Sequence, residues 1–220
     1  MVRITLDKPY IPIPVPATAI KYGLLYNWYA ATDARLITSA GWNIPTKAEY
    51  LTLINYVKGA GTNTDAANAL KEIGTTYWDT SNGLNTFGFN LKGSGMRYFF
   101  LLSGFGNIKS NTALHSTDTI VDFTPCGLYV LDNHGMFTGL QWQPTTGYDE
   151  RIFGLPLRAI KGSTTLTHGQ TGTYTGNDGK VYRTICIGTQ EWLADNLCET
   201  KYRNGDTIPE VTNNAAWAVS

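Results

Sequence analysis

The spacing of apolar residues along this chain changes from helical to alternating near residue 75, and that change limits the folds open to it. Before it, "PTKAEYLTLINYVKGAG" sets Tyr50, Leu51, Leu53, Ile54 and Val57 at helical spacing. Thr46, with Glu49 three residues on, makes a capping box, and Gly59 supplies the stop. "TDAANALKEIG" repeats the pattern, with Ala66, Ala67, Leu70 and Ile73 on one face and Gly74 at its end. From Trp78 to Ile160 the chain turns to short alternating stretches, among them "FGFNLKGSGMRYF", "CGLYVLD", "GLQWQP" and "FGLPLRAIKG". Gly, Asn, Asp and Ser separate them, which predicts short strands with long loops. Helices first and strands later make an α+β arrangement.

Three flanking segments complete the reading. "KYGLLYNWYAAT" is a dense apolar run from Tyr22 to Ala31 and predicts a buried strand with a tail. Residues 1–18 carry "PYIPIPVPA", in which proline fixes φ and removes donors, so an extended arm is expected, either an anchor to other proteins or an ordinary ordered leader. "GSTTLTHGQTGTYTGNDG", from Gly162 to Gly179, has the composition of a connector. After it, "NDG" predicts a hairpin turn, "KVYRTICIG" a strand, "QEWLADNL" a short helix and "YRNGDTI" another turn.

Composition narrows the function classes. With 220 residues the chain can bury one good core. Lys+Arg 17 balance Asp+Glu 17, and only 15% of residues are charged, so no basic excess is present to neutralise nucleic acid or an anionic membrane surface. The 23 Gly, 13 Tyr and 6 Trp suit a loop-rich extracellular or virion protein better than a helical cytosolic enzyme. No apolar run reaches the roughly 18 residues of a membrane span, and none near the amino end resembles a secretory signal. The expectation is a protein made in a host cytoplasm that reaches the exterior within a particle or by lysis. Cys126, Cys186 and Cys198 are odd in number, without Cys-x-x-Cys spacing or a histidine at ligand distance, and are expected to be buried free thiols.

The tail carries a specific likeness. "DGKVYRTICIGTQEWLADNLCETKYRNGDTIPEVTNNAAW" contains Asp178, Gly179, Tyr182, Ile187, Gly188, Gln190, Trp192, Asn196, Leu197, Tyr202, Gly205, Ile208, Pro209 and Trp217 at the spacing of a known opening segment. It resembles the first part of the Fibrobacter succinogenes major paralogous domain. "YGLLYNWYA", "GWNIPTKAEY", "ALKEIGTTYW", "FGFNLKGSGMRY" and "FGLPLRAIKG" resemble its later part, in the family's internal order. The two halves are exchanged, as in a circular permutation, which is tolerated where the original termini lie close together. An exchange between subunits of a homo-oligomer is the alternative. Either way 19–162 forms the main part, 163–175 the connector and 176–220 the completing half, with Tyr182, Ile185, Ile187, Trp192 and Leu197 expected against Leu24, Tyr26, Trp28 and Trp42. The resemblance implies a C-type-lectin-like fold, with two helices flanking a small twisted antiparallel sheet and long irregular loops.

Chemistry is weakly signalled. His115, His134 and His168 are far apart, no paired carboxylates or Ser-His-Asp pattern stands out, and nothing marks a cysteine as activated. In "QWQPTTG" a threonine stands where a calcium-dependent lectin needs a carboxylate, and Asn177 and Asp178 fit a hairpin turn better than a calcium loop. No catalytic residue, metal or cofactor is expected. Loops on a rigid scaffold carry recognition, so Phe99, Phe100, Phe105, His115, Asn133, His134, Trp142 and Tyr148 are the candidate contacts. The function expected is non-enzymatic adhesion or display on a phage virion, binding bacterial surface glycan or protein. The alternatives are a purely structural virion protein or a bacterial cell-surface module.

Overall fold

A computed structural model of the chain describes residues 21–80, 82–97, 104–121, 124–131, 136–138 and 150–211, with the backbone alone for 119–138 and Glu150. It is an α+β protein in which the described residues include three α-helices, one 3-10 turn (Glu150–Ile152) and ten strands. The helices are α1 (Trp28–Thr32), α2 (Lys47–Lys58) and α3 (Asn63–Leu70). Both longer ones begin with complete capping boxes. The Thr46 hydroxyl accepts from the Glu49 N–H while the Glu49 carboxylate accepts from the Thr46 N–H, and Thr62 and Asp65 repeat the exchange at α3.

One strand expectation and two helix-face expectations are revised. The run from Tyr22 to Ala31 is not a strand: Tyr26 makes one antiparallel bridge to Leu155, and α1 starts two residues later. Asn27 causes the switch, because its side chain caps the helix by accepting the Ala30 N–H at 2.9 Å. Helix α3 stops at Leu70, where Lys71 turns extended and bridges to Leu91, leaving Ile73 66% exposed rather than on the apolar face. Leu51 is also exposed, at the margin of α2.

One sheet runs β1 (Trp42–Asn43), β7 (Ile160–Lys161), β10 (Gln190–Leu193), β9 (Val181–Ile187), β8 (Thr171–Thr175) in spatial order, antiparallel throughout. The other runs β3 (Phe105–Ile108), β2 (Ser94–Arg97), β4 (Asn111–Val121), β5 (Thr124–Leu131), β6 (Met136–Thr138), with one parallel pairing, Gly95 with Thr112. Two further expectations change here. Residues 190–193 are the middle strand of the first sheet, not a helix, because Gly188, at φ +63°, folds β10 back onto β9 in a two-residue turn. The Gly/Thr-rich segment is not all connector, since Thr171–Thr175 forms the edge strand β8, joined to β9 by the turn at 176–180.

The first sheet is covered on both faces. Trp192, Ile185 and Ile187 meet Tyr50, Leu53, Ile54 and Val57 of α2 and Ala66, Ala67 and Leu70 of α3. Tyr182, Leu193 and Leu197 meet Leu24, Tyr26, Ala30 and Trp42 on the other side. Tyr182, Ile185, Ile187, Trp192 and Leu197 of the tail therefore lie in the core, and so do the residues expected to receive them, except Trp28. That side chain is half-buried, with its indole N–H donating to the Ser116 carbonyl at 3.2 Å.

Candidate functional site

Beside Trp28 lies a surface groove of about 490 Å³, walled by α1, by the loop at 36–38 and by residues 43, 44 and 117. Its floor is apolar, from Ala31, Ile37 and Ile44, while Thr32, Asn43 and Thr117 bring hydroxyl and amide groups to the rim; Thr38 is buried, its hydroxyl donating to the Trp42 carbonyl at 2.7 Å. The volume falls within the range of small-molecule sites, and an apolar floor with a few polar groups is the usual make-up of such sites. Leu36 forms part of the wall at φ +61°, a left-handed conformation that a branched side chain rarely adopts.

The surrounding contacts explain how that conformation is held. Arg35 donates to Asp33 at 2.8 Å and to Asp206 at 3.3 Å, and its guanidinium lies over the Tyr202 ring at 4.1 Å. Arg203 reaches the other way: its backbone N–H donates to the Leu36 carbonyl at 2.8 Å, and its guanidinium to the Thr38 and Ser39 carbonyls at 2.9 and 3.0 Å. The Asn177 amide donates to the Ile37 carbonyl at 2.9 Å, and the Ser39 N–H to the Tyr174 hydroxyl at 3.0 Å. The groove wall is thus tied to the carboxyl tail at several points.

The residues of the tail motif have structural employment. Asn196 donates to the Tyr22 carbonyl and to Ser94, and accepts from Arg158 at 2.7 Å. Arg158 is fully buried and donates further to the carbonyls of Phe89, Leu193 and Asn90. Asp178 accepts from the Thr200 N–H and hydroxyl and from Lys180. Burial works against its ionisation, but those hydrogen bonds outweigh it and hold the carboxyl below its usual range. Its neighbour Glu199 accepts from the Tyr182 hydroxyl at 3.2 Å and the Asp178 N–H at 3.1 Å. Burial first, and the Asp178 charge second, push Glu199 up to about 7.

Of the eight candidate contacts, two have described side chains. His115 is corrected: it is fully buried, with Nε2 2.9 Å from the Tyr26 carbonyl oxygen, and burial pushes it down to about 4, so it is a neutral core residue that no ligand reaches. Phe105 is half-buried under the Arg97 guanidinium, 4.8 Å from its ring, and is not part of the groove. Phe99, Phe100, Asn133, His134, Trp142 and Tyr148 lie outside the described residues or side chains, as do the arm at 1–18, the "QWQPTTG" stretch and the Cys126 side chain. Cys186 is buried, Cys198 is partly buried, and burial raises both thiols. Among the described residues no group of three or more His, Cys, Asp or Glu could hold a metal, and no helix is long and apolar enough to cross a membrane. The groove is not legible in the sequence, because its wall is held by contacts across more than 130 residues; of its lining only Trp28 stands out locally, and the turn "YRNGDTI" supports the wall from behind.

Residues 5–118, more than half of the 220, match the Fibrobacter succinogenes major domain, and the chain belongs to that family. The match ends before the tail, whose likeness to the family's opening segment rests on its own residues. No curated protein and no solved structure matches the chain.

Proposed function

We propose that this chain is a non-enzymatic recognition module of a phage virion, C-type-lectin-like in fold, that binds bacterial surface glycan or protein in the groove beside Trp28. The observation that carries the reading is the groove, with a half-buried tryptophan at its side, an apolar floor and three hydroxyl or amide groups, of Thr32, Asn43 and Thr117, around it. An aromatic face accommodates the C–H face of a sugar ring or an apolar side chain, and uncharged hydroxyls and amides exchange hydrogen bonds with neutral polar ligands. Helices packed on an antiparallel sheet, with long irregular connections, support the lectin-like assignment. Balanced charge, the Gly- and aromatic-rich composition and the Pro-rich arm support the virion. We read the exchanged order of the two halves as a permutation within one subunit, a reading supported by the seating of β9 and β10 beside β7 of the same chain.

The test is binding of the purified protein to a bacterial glycan array and to whole cells, alongside Thr117→Arg, which blocks the groove from an exposed position. The expected result is binding by the parent protein and its loss in the variant with the fold intact. Absence of binding by the parent, together with absence of the protein from purified particles, contradicts the proposal. Presence in particles without any binding favours a purely structural virion protein.

A further inference from the structure

We infer that Arg203 and Asn177, both from the carboxyl tail, are positioning residues for the groove, fixing its 36–39 wall in a conformation the wall would not hold alone. The inference rests on reading the groove as the binding site, and it adds that the tail decides whether the groove is formed. Leu36 at φ +61° is the strained point, and such backbone persists where its surroundings over-determine it. Here they do so carbonyl by carbonyl. Leu36 O accepts from the Arg203 N–H, Ile37 O from the Asn177 amide, Thr38 O from Arg203 Nε, and Ser39 O from the other arm of the same guanidinium.

Three of these four contacts come from side chains, and the fourth, to Leu36 O, from the Arg203 backbone N–H. A planar guanidinium can donate to two successive carbonyls at once, which an ammonium cannot do in the same geometry. Asn177 is itself held in place, since its side-chain oxygen accepts from the Ser39 hydroxyl at 3.0 Å while its amide also donates to the Lys201 carbonyl at 3.2 Å. Leu36 and Thr38 line the groove, and Arg203 and Asn177 do not, so the two tail residues act on a ligand only through the wall. Arg35 returns the contact from the wall side, to Asp206 and the Tyr202 ring, so the loop and the turn at 202–206 grip each other.

The experiment compares the 220-residue protein with Arg203→Ala, Arg203→Lys and Asn177→Ala by amide hydrogen exchange, and measures binding of each to the bacterial glycan array. Amides of residues 35–39 are expected to exchange about tenfold faster or more in Arg203→Ala, the factor for losing one charge-assisted hydrogen bond. Those of β9 and β10 should keep their protection, which shows that the core is intact. Arg203→Lys should behave like Arg203→Ala, because the fork and not the charge is at work, and array binding should fall in both. Unchanged exchange at 35–39, full rescue by lysine, or faster exchange with undiminished binding overturns the inference. A parent protein that binds nothing on the array contradicts the functional reading instead, and the exchange data still decide whether the tail orders the wall.

Discussion

The indole of Trp192 stacks on the ring of Tyr50, with centroids 5.4 Å apart and planes 25° from parallel, so the middle strand of the sheet and helix α2 share one core. Trp192 is fully buried and also meets the Phe89 ring edge-on at 6.0 Å. Trp192→Ala is expected to lower stability by about 3–5 kcal/mol, the usual cost of truncating a large core aromatic. Trp192→Phe keeps an aromatic ring at the stack and drops an indole N–H that has no hydrogen-bond partner among the described residues. It should cost clearly less, within about 1–3 kcal/mol. Urea unfolding of the two variants separates these outcomes.

Asn196 and Arg158 form a second test, because their pairing leaves a buried guanidinium dependent on one amide oxygen and three carbonyls. Asn196→Ala removes the acceptor of Arg158 Nε and leaves that donor buried without a partner. A loss of about 2–4 kcal/mol is expected, larger than for an exposed asparagine. Asn196→Asp should restore part of it by supplying a carboxylate oxygen to the same donor, and thermal unfolding at neutral pH compares the three proteins.

Two buried titratable groups should act on stability in opposite directions over nearly the same pH window. Glu199 has its folded pKa raised from 4.5 to about 7, so its contribution is fully present below about 4.5 and is lost as pH rises through 7. His115 has its folded pKa lowered from 6.5 to about 4, so its contribution is fully present above about 6.5 and is lost as pH falls through 4. The two slopes oppose each other between about 4.5 and 6.5. Glu199→Gln should therefore leave a stability that rises with pH across that window, and His115→Gln one that falls. Each slope should integrate to on the order of 1–3 kcal/mol. Denaturant midpoints measured from pH 4 to 8 check the signs, and parallel profiles in the two variants would contradict the assignments.

What could be read from the residues depended on the range of the interactions that decide each element. Helix α2 was legible to its ends, because Thr46, Glu49 and Gly59 are local signals and the structure uses all three. The α+β class followed from the change of period near residue 75. Residues 190–193 were misread as helical, because Trp192, Leu193 and Leu197 fit either period and Gly188 decides between them by returning the chain onto β9. Asn27 was a local signal too, but a run of aromatics around it suggested a strand. His115 illustrates the opposite limit: a histidine between Leu114 and Ser116 gives no sign in sequence of a carbonyl from Tyr26 waiting 89 residues away. The groove was the least legible part, since Leu36 is shaped by residues 177 and 203.

The account stands or falls on the carboxyl tail as part of this domain's core and not an appendage. Removing residues 176–220 takes away β9, β10, Tyr182, Ile185, Ile187, Trp192 and Leu197, each large apolar side chain contributing about 1.5–3 kcal/mol when buried, against a total stability of about 5–15 kcal/mol. Thermal unfolding of the 1–175 fragment, with its mass in solution measured alongside, is the direct measurement. The account predicts no cooperative transition, or an aggregated species, and restoration of a transition when a peptide spanning 176–220 is added. A soluble monomeric fragment that melts cooperatively near the 1–220 protein would contradict it.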